Sequence, residues 1–229
     1  MILHTLLVGQ RSSVDIIREY DNICAWSARN KLTINTNKTK EIIFHRPASR
    51  LLNNLTPMLI IEWVTQATLL GIDISSSLST AAYVNRILLQ INQHLYLLSQ
   101  LKSQGIAVQA LHQLFTGLII SKITYALSTF AGQLTANDRN RINAISRKAL
   151  RRGVTHTAFE IEEIVDNFDR KLFSKITHSG HCLHCLLPPK TSEHCSYSLR
   201  KRKHYQLPNV EFSLYKNCFI NRCLFKFRW

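Results

Sequence analysis

Apolar positions recur along this chain with two different periods, and the change between them falls near residue 75. Ile16, Ile17, Tyr20 and Cys24 lie at helical spacing behind Ser12 and Ser13, which can cap a helix starting at Val14 and Asp15. That helix is expected to end around residues 28–30. Short runs follow at 32–34 and 41–44, separated by the polar turn Asn35, Thr36, Asn37, Lys38. Pro47 closes the second run, Pro57 opens a third at 58–63, and residues 68–74 form a fourth. The pattern predicts a helix on a small antiparallel sheet. Strand edges left open there would make residues 1–75 the less stable part.

Beyond the polar stretch 75–79 the period becomes purely helical. From Ala81 to Ser103 the apolar set is Val84, Ile87, Leu88, Ile91, Leu95 and Leu98, one face of a helix. Gly105 breaks it. A second helix carries Val108, Leu111, Leu114, Phe115, Leu118, Ile119, Ile123 and Ala126. Thr135 starts a third, with Asp138 at the N3 position of a capping box and a thin apolar line of Ile142, Ile145 and Ala149. Residues 160–176 form an acidic-to-basic helix that suits the helix dipole. Beyond His178 a loop-rich tail is expected. No apolar run approaches the roughly 20 residues of a membrane span, and the N-terminus lacks the pattern of a secretion signal.

Charge then changes the picture. The 229 residues hold 29 Lys+Arg against 14 Asp+Glu, a formal net charge of +15. Such a chain is drawn to polyanions, nucleic acid first among them. The positive charge is concentrated on the third long helix, where Arg139, Arg141, Arg147, Lys148, Arg151 and Arg152 face one carboxylate, Asp138. A solvated face would intersperse both signs, so this face is a candidate for phosphate binding without base reading. Arg200, Lys201, Arg202 and Lys203 form a second cluster, either a phosphate or import signal or a plain exposed loop.

Cys182 and Cys185 have a zinc-type gap, and His194 or Cys195 could complete a site. Adjacent His194 and Cys195 are a poor second half, so zinc is not expected and the six cysteines are taken as reduced thiols. The six Asp are dispersed, and there is no Gly-rich phosphate loop, no Gly-x-Ser-x-Gly and no His-Glu-x-x-His. No small-molecule substrate is expected.

Several stretches together resemble a known family. Trp26, Ser27, Asn30, Lys31, Leu32, Ile34, Asn35, Lys38, Thr39, Lys40 and Glu41 resemble the segment after the catalytic turn of non-LTR retrotransposon (LINE-like, jockey-type) reverse transcriptases. Residues 68–74, with Leu70 and Gly71, look like the start of their primer grip. Gly105 and Ile106 with the helix ending Lys122 to Ala126, and Asp138, Arg141, Ile142, Arg147 to Arg151, look like their thumb. Leu183, His184, Leu186, Leu187, Pro188 and Pro189, then Leu199, Arg200, Arg202 and His204, then Asn221, Arg222, Leu224 and Phe225, resemble the tail after it.

The resemblance implies an α+β chain. It would comprise a distal reverse-transcriptase palm fragment (1–75), a mainly α-helical thumb (76–155), and a helix with a basic, loop-rich tail (156–229). The family's aromatic-x-Asp-Asp turn, which holds its magnesium ions, aligns with Met1, Ile2, Leu3 and His4, so the metal ligands are missing there. The expected function is residual template–primer or RNA binding by an inactive fragment of an RNA-directed DNA polymerase, with no cofactor. Lys38 and Lys40 match lysines placed near the leaving pyrophosphate, and Leu70 and Gly71 the bend that holds the primer end. The alternatives are an RNA- or protein-binding adaptor, a zinc-stabilised nucleic-acid binder on residues 181–195, or a decayed relic. A nuclear or cytoplasmic location without membrane attachment is expected, not secretion.

Overall fold

A computed structural model of the chain describes residues 16–44, 61–191 and 205–227. The chain divides into two compact units, Met1–Leu78 and Ser79–Trp229. The class is α+β, dominated by helix.

In the first unit, α1 (Ile16–Arg29) follows the expected period, but only Ser27 on it is buried. The capping serines lie outside the described residues. Residues 32–34 are not a strand. Their place is a loop that ends in a single 3-10 turn, Thr36–Lys38, capped by the Asn35 side chain, which accepts from the Lys38 N–H at 3.1 Å. The expected antiparallel sheet is replaced by two separate pairs. β1 (Lys40–Glu41) runs parallel to β2 (Glu62–Trp63), with Lys40 paired to Glu62 across it. Residues 58–60 of the expected third strand are outside the described set.

The expected fourth strand is a hairpin instead, β3 (Gln66–Leu69) and β4 (Ile72–Ser75). Both turn residues, Leu70 (φ 49°) and Gly71 (φ 81°), lie in the left-handed region. That is the two-residue turn whose twist matches antiparallel strands. Glycine takes such a φ freely, whereas leucine is strained there. Across the pair, Thr68 Oγ1 donates to the Asp73 carboxylate at 2.7 Å.

The second unit is built as its periodicity implies. α2 (Ala81–Ser103) buries all six apolar positions named for it, and Tyr83 besides. α3 (Val108–Phe115) begins a long helical path that does not run straight. Its buried residues Leu111, Phe115, Ile119, Ile123 and Leu127 recur every four residues. An α-helix turns once per 3.6 residues, so this stripe would drift by about 40° at each step. The wider π turn at Thr116–Ile120 absorbs one extra residue and returns the stripe to the core. The drift also leaves Leu114 and Leu118, both expected inside, exposed. α4 (Ser121–Thr124) then ends at a kink where Ala126 has φ 50°, and α5 (Leu127–Phe130) follows.

Taken whole, Val108–Gln133 is long and apolar enough to cross a membrane, with mean hydropathy 1.4 in its best window. Its residues Leu111, Phe115, Ile119, Ile123 and Leu127 are buried within the helical unit.

α6 (Ala136–Arg151) opens with the expected capping box: Thr135 accepts from the Asp138 N–H at 3.1 Å, and Asp138 takes the Thr135 N–H at 3.3 Å. Ile142, Ile145 and Ala149 are buried. Asn143 and Ser146 are buried too, and they accept the N–H groups of Ile161 (2.8 Å) and Phe159 (2.6 Å), fixing the approach to α7 (Ile161–Ile176).

The tail is more ordered than its composition suggests. α8 (Ser213–Lys216) and α9 (Phe219–Lys226) fold back, and Tyr205, Cys223, Leu224 and Phe227 form one core with Phe173 and Ile176 of α7. Arg222 locks this return. It chelates Asp169 through Nε (2.8 Å) and Nη2 (3.0 Å), and donates to the carbonyls of Asn217 (2.8 Å) and Ser128 (3.0 Å). Gly132 permits the approach, because a Cβ there would stand 1.8 Å from the Asn217 carbonyl oxygen.

Candidate nucleic-acid interface

The six cations of α6 do not share one role. Arg139 is consumed by the fold: its Nη2 donates to the Ala131 carbonyl at 3.0 Å and its Nη1 meets Glu162 at 3.4 Å. Arg141 lies 3.5 Å from Asp138 on its own helix. Towards the C-terminus the pattern changes. Lys148 Nζ reaches Asn92 of α2 at 3.4 Å, and Arg152 Nη1 reaches Ser99 at 3.2 Å. Lys102 comes the other way and donates to the Arg152 carbonyl at 2.8 Å, at the negative end of the α6 dipole. These partners are neutral, so among the described residues no carboxylate pairs with Lys102, Lys148 or Arg152 along the α2–α6 seam. Arg147 and Arg151, one turn apart and exposed, enter none of the ion pairs found among the described residues.

Beside this seam α2 exposes Leu89, Tyr96 (58% exposed) and Leu97. With Asn92 and Gln93 they line a shallow depression. Tyr96 lies between Asn92 and Ser99, the two points where Lys148 and Arg152 touch α2. A cationic ridge flanked by an exposed aromatic is one kind of surface on which proteins bind single-stranded nucleic acid, phosphates against the cations and a base against the ring. The basic count on α6 alone could not reveal Lys102 or Tyr96. The signal for Tyr96 was its place off the buried stripe of α2.

Four aspartates are committed to structure. Among the described residues, Asp73 takes Thr68, Asp138 caps α6, Asp166 pairs with Lys226 at 2.5 Å and Asp169 with Arg222. Glu162 stands against the first half of α6, beside Arg139 and Asn143. Partial burial opposes its charge, but its own backbone N–H, Asn143 and Arg139 outweigh that and hold its carboxyl below the usual range. No group of three or more His, Cys, Asp or Glu is placed to hold a metal among the described residues.

The remaining expected residues are scattered. Lys38 is exposed in the 3-10 turn, Lys40 is tied to Glu62, and Leu70 and Gly71 form the hairpin tip. They belong to the first unit, whereas the α6 cations belong to the second. Arg200, Lys201, Arg202 and Lys203 lie outside the described residues, as do His194 and Cys195 of the zinc alternative. Comparison of the chain with family models, curated proteins and solved structures finds no match.

Proposed function

We propose that the second unit is a nucleic-acid-binding module of reverse-transcriptase ancestry. In this reading Arg147, Lys148, Arg151 and Arg152, joined by Lys102, grip the phosphate backbone. The observation that carries it is the free pair Arg147 and Arg151 beside a seam whose cations are held by neutral partners. A protein does not gain stability from like charges placed side by side without counter-charges; a polyanion supplies them. The reading assigns no polymerase chemistry to this chain, and primer extension with magnesium and deoxynucleotides is expected to yield no product.

The test is a fluorescence-anisotropy titration of the full chain against an RNA–DNA hybrid and a single-stranded RNA, repeated over a range of salt. Binding that weakens linearly in log–log form, with a slope equivalent to several phosphates, supports the reading. The exposed Leu89, Tyr96 and Leu97 favour a second reading, a protein-binding adaptor. Failure to bind nucleic acid, with salt-insensitive capture of a protein on that patch, would select it.

A further inference from the structure

The Cys182–Cys185 segment finds no use in phosphate binding, yet its geometry is specific. His184 N–H donates to the His181 carbonyl at 2.9 Å, Leu186 N–H to Leu183 at 3.1 Å, and Leu187 N–H to His184 at 3.1 Å. The first bond closes a tight turn over residues 181–184, and the other two form the short 3-10 helix His184–Leu186. In that geometry residues three apart eclipse, at a rise of about 2 Å per residue. Cys182 sits in the turn that leads into this helix and Cys185 within it, so the two lie one tight turn apart, a spacing of about 6 Å that a disulfide can bridge. Both thiols are exposed, and Cys185 Sγ already points back at the Cys182 carbonyl at 3.5 Å.

The turn that presents them is anchored. Leu183 and Leu187 pack on the Phe173, Ile176 and Tyr205 core. His184 Nδ1 lies 2.9 Å from the Ile176 carbonyl, and His181 Nδ1 accepts the Leu183 N–H at 3.2 Å. Anchored leucines and histidines hold the backbone while both sulfurs face solvent. Such a dithiol loses little freedom on closing.

We propose that Cys182 and Cys185 form a redox-active dithiol that closes to an intrachain disulfide at the expense of a small-molecule disulfide such as oxidised glutathione. One cysteine thiolate attacks a glutathione sulfur and expels one glutathione thiolate, leaving a mixed disulfide. The second cysteine then attacks the protein sulfur of that bond and expels the other glutathione thiolate. Two protein thiols are oxidised and one glutathione disulfide is reduced; the two thiol protons pass to the expelled glutathione thiolates, giving two glutathione thiols.

The experiment treats the full reduced chain with oxidised glutathione, traps remaining thiols, and maps the peptides by mass. The expected result is a Cys182–Cys185 link that lowers the peptide's mass by two hydrogens. The conservative variants Cys182→Ser and Cys185→Ser should each instead hold a stable glutathione adduct on the remaining cysteine. Glutathione adducts on both cysteines of the unaltered chain, without the loop, would overturn the proposal. So would a link from either cysteine to Cys195, or the same loss of hydrogens in the single variants. None of these outcomes depends on whether the chain binds nucleic acid.

Discussion

Arg139 and Arg151 lie on one helix, three turns apart, and the fold treats them oppositely. At the start of α6, Arg139 is spent on the Ala131 carbonyl and Glu162, inside a corner closed by the capping box. At its end Arg151 is exposed, and its neighbours Lys148 and Arg152 lean on neutral groups. Equal charges in a sequence are therefore unequal in function. What separates them is whether a neighbouring element brings an acceptor within reach. Arg222 is the extreme of the committed kind, chelating an Asp169 that is 1% exposed.

That contrast can be broken by mutation. Arg222→Ala should have the largest effect on stability, because it strands the buried Asp169 carboxylate. A loss of about 3–5 kcal/mol is expected by chemical denaturation. A loss within the scatter of surface substitutions would mean that the tail does not dock through this pair. Arg139→Ala should cost about 1 kcal/mol, the worth of its hydrogen bonds, and leave nucleic-acid affinity unchanged. Thr135→Ala, which removes the cap, should also cost about 1 kcal/mol, read from the denaturation midpoint. If either variant weakened binding more than it weakened the fold, the division of α6 would be misdrawn.

A smaller effect comes from Cys223. Burial, then Asp169, push its thiol from 9.0 up to about 12. The unfolded chain ionises first, so the thiol's contribution is complete below pH 9 and is lost as pH rises towards about 12. Stability should decline through that window, and less so in Cys223→Ala after allowance for its lower starting point. Native-state alkylation should label Cys182 and Cys185 while sparing Cys223.

How far the sequence was legible follows from the same physics. Helix α2 matches its expected limits because six apolar residues at one period, with a break at Gly105, leave a single solution. The capping box was legible for a similar reason, being a local code. The strands were not. Residues 32–34 have strand composition, but a strand needs a partner, and pairing in the first unit went elsewhere. Among the described residues Ile61 is the one buried apolar side chain of that unit, against twenty-seven in the second. Amides of β3 and β4 should therefore exchange at least about tenfold faster than those in the middle of α2. Equal protection would show a core in the first unit that the burial pattern lacks.

The candidate site was half legible. The charge run on α6 located the face, but the commitment of Arg139 depends on the Ala131 carbonyl and on Glu162, brought in by later turns of the chain. Tyr96 and Lys102 joined the site only through the packing of α2 on α6. The π turn was legible in principle: a stripe repeating every four residues from Leu111 to Leu127 cannot stay on one side of a regular α-helix.

The most direct test of the account compares the salt dependence of nucleic-acid binding for the unaltered chain, Arg139→Gln, and the double variant Arg147→Gln with Arg151→Gln. The account predicts that the double variant loses about two units of log–log salt slope and keeps its stability, while Arg139→Gln keeps the slope. Identical slopes for the unaltered chain and the double variant would contradict it.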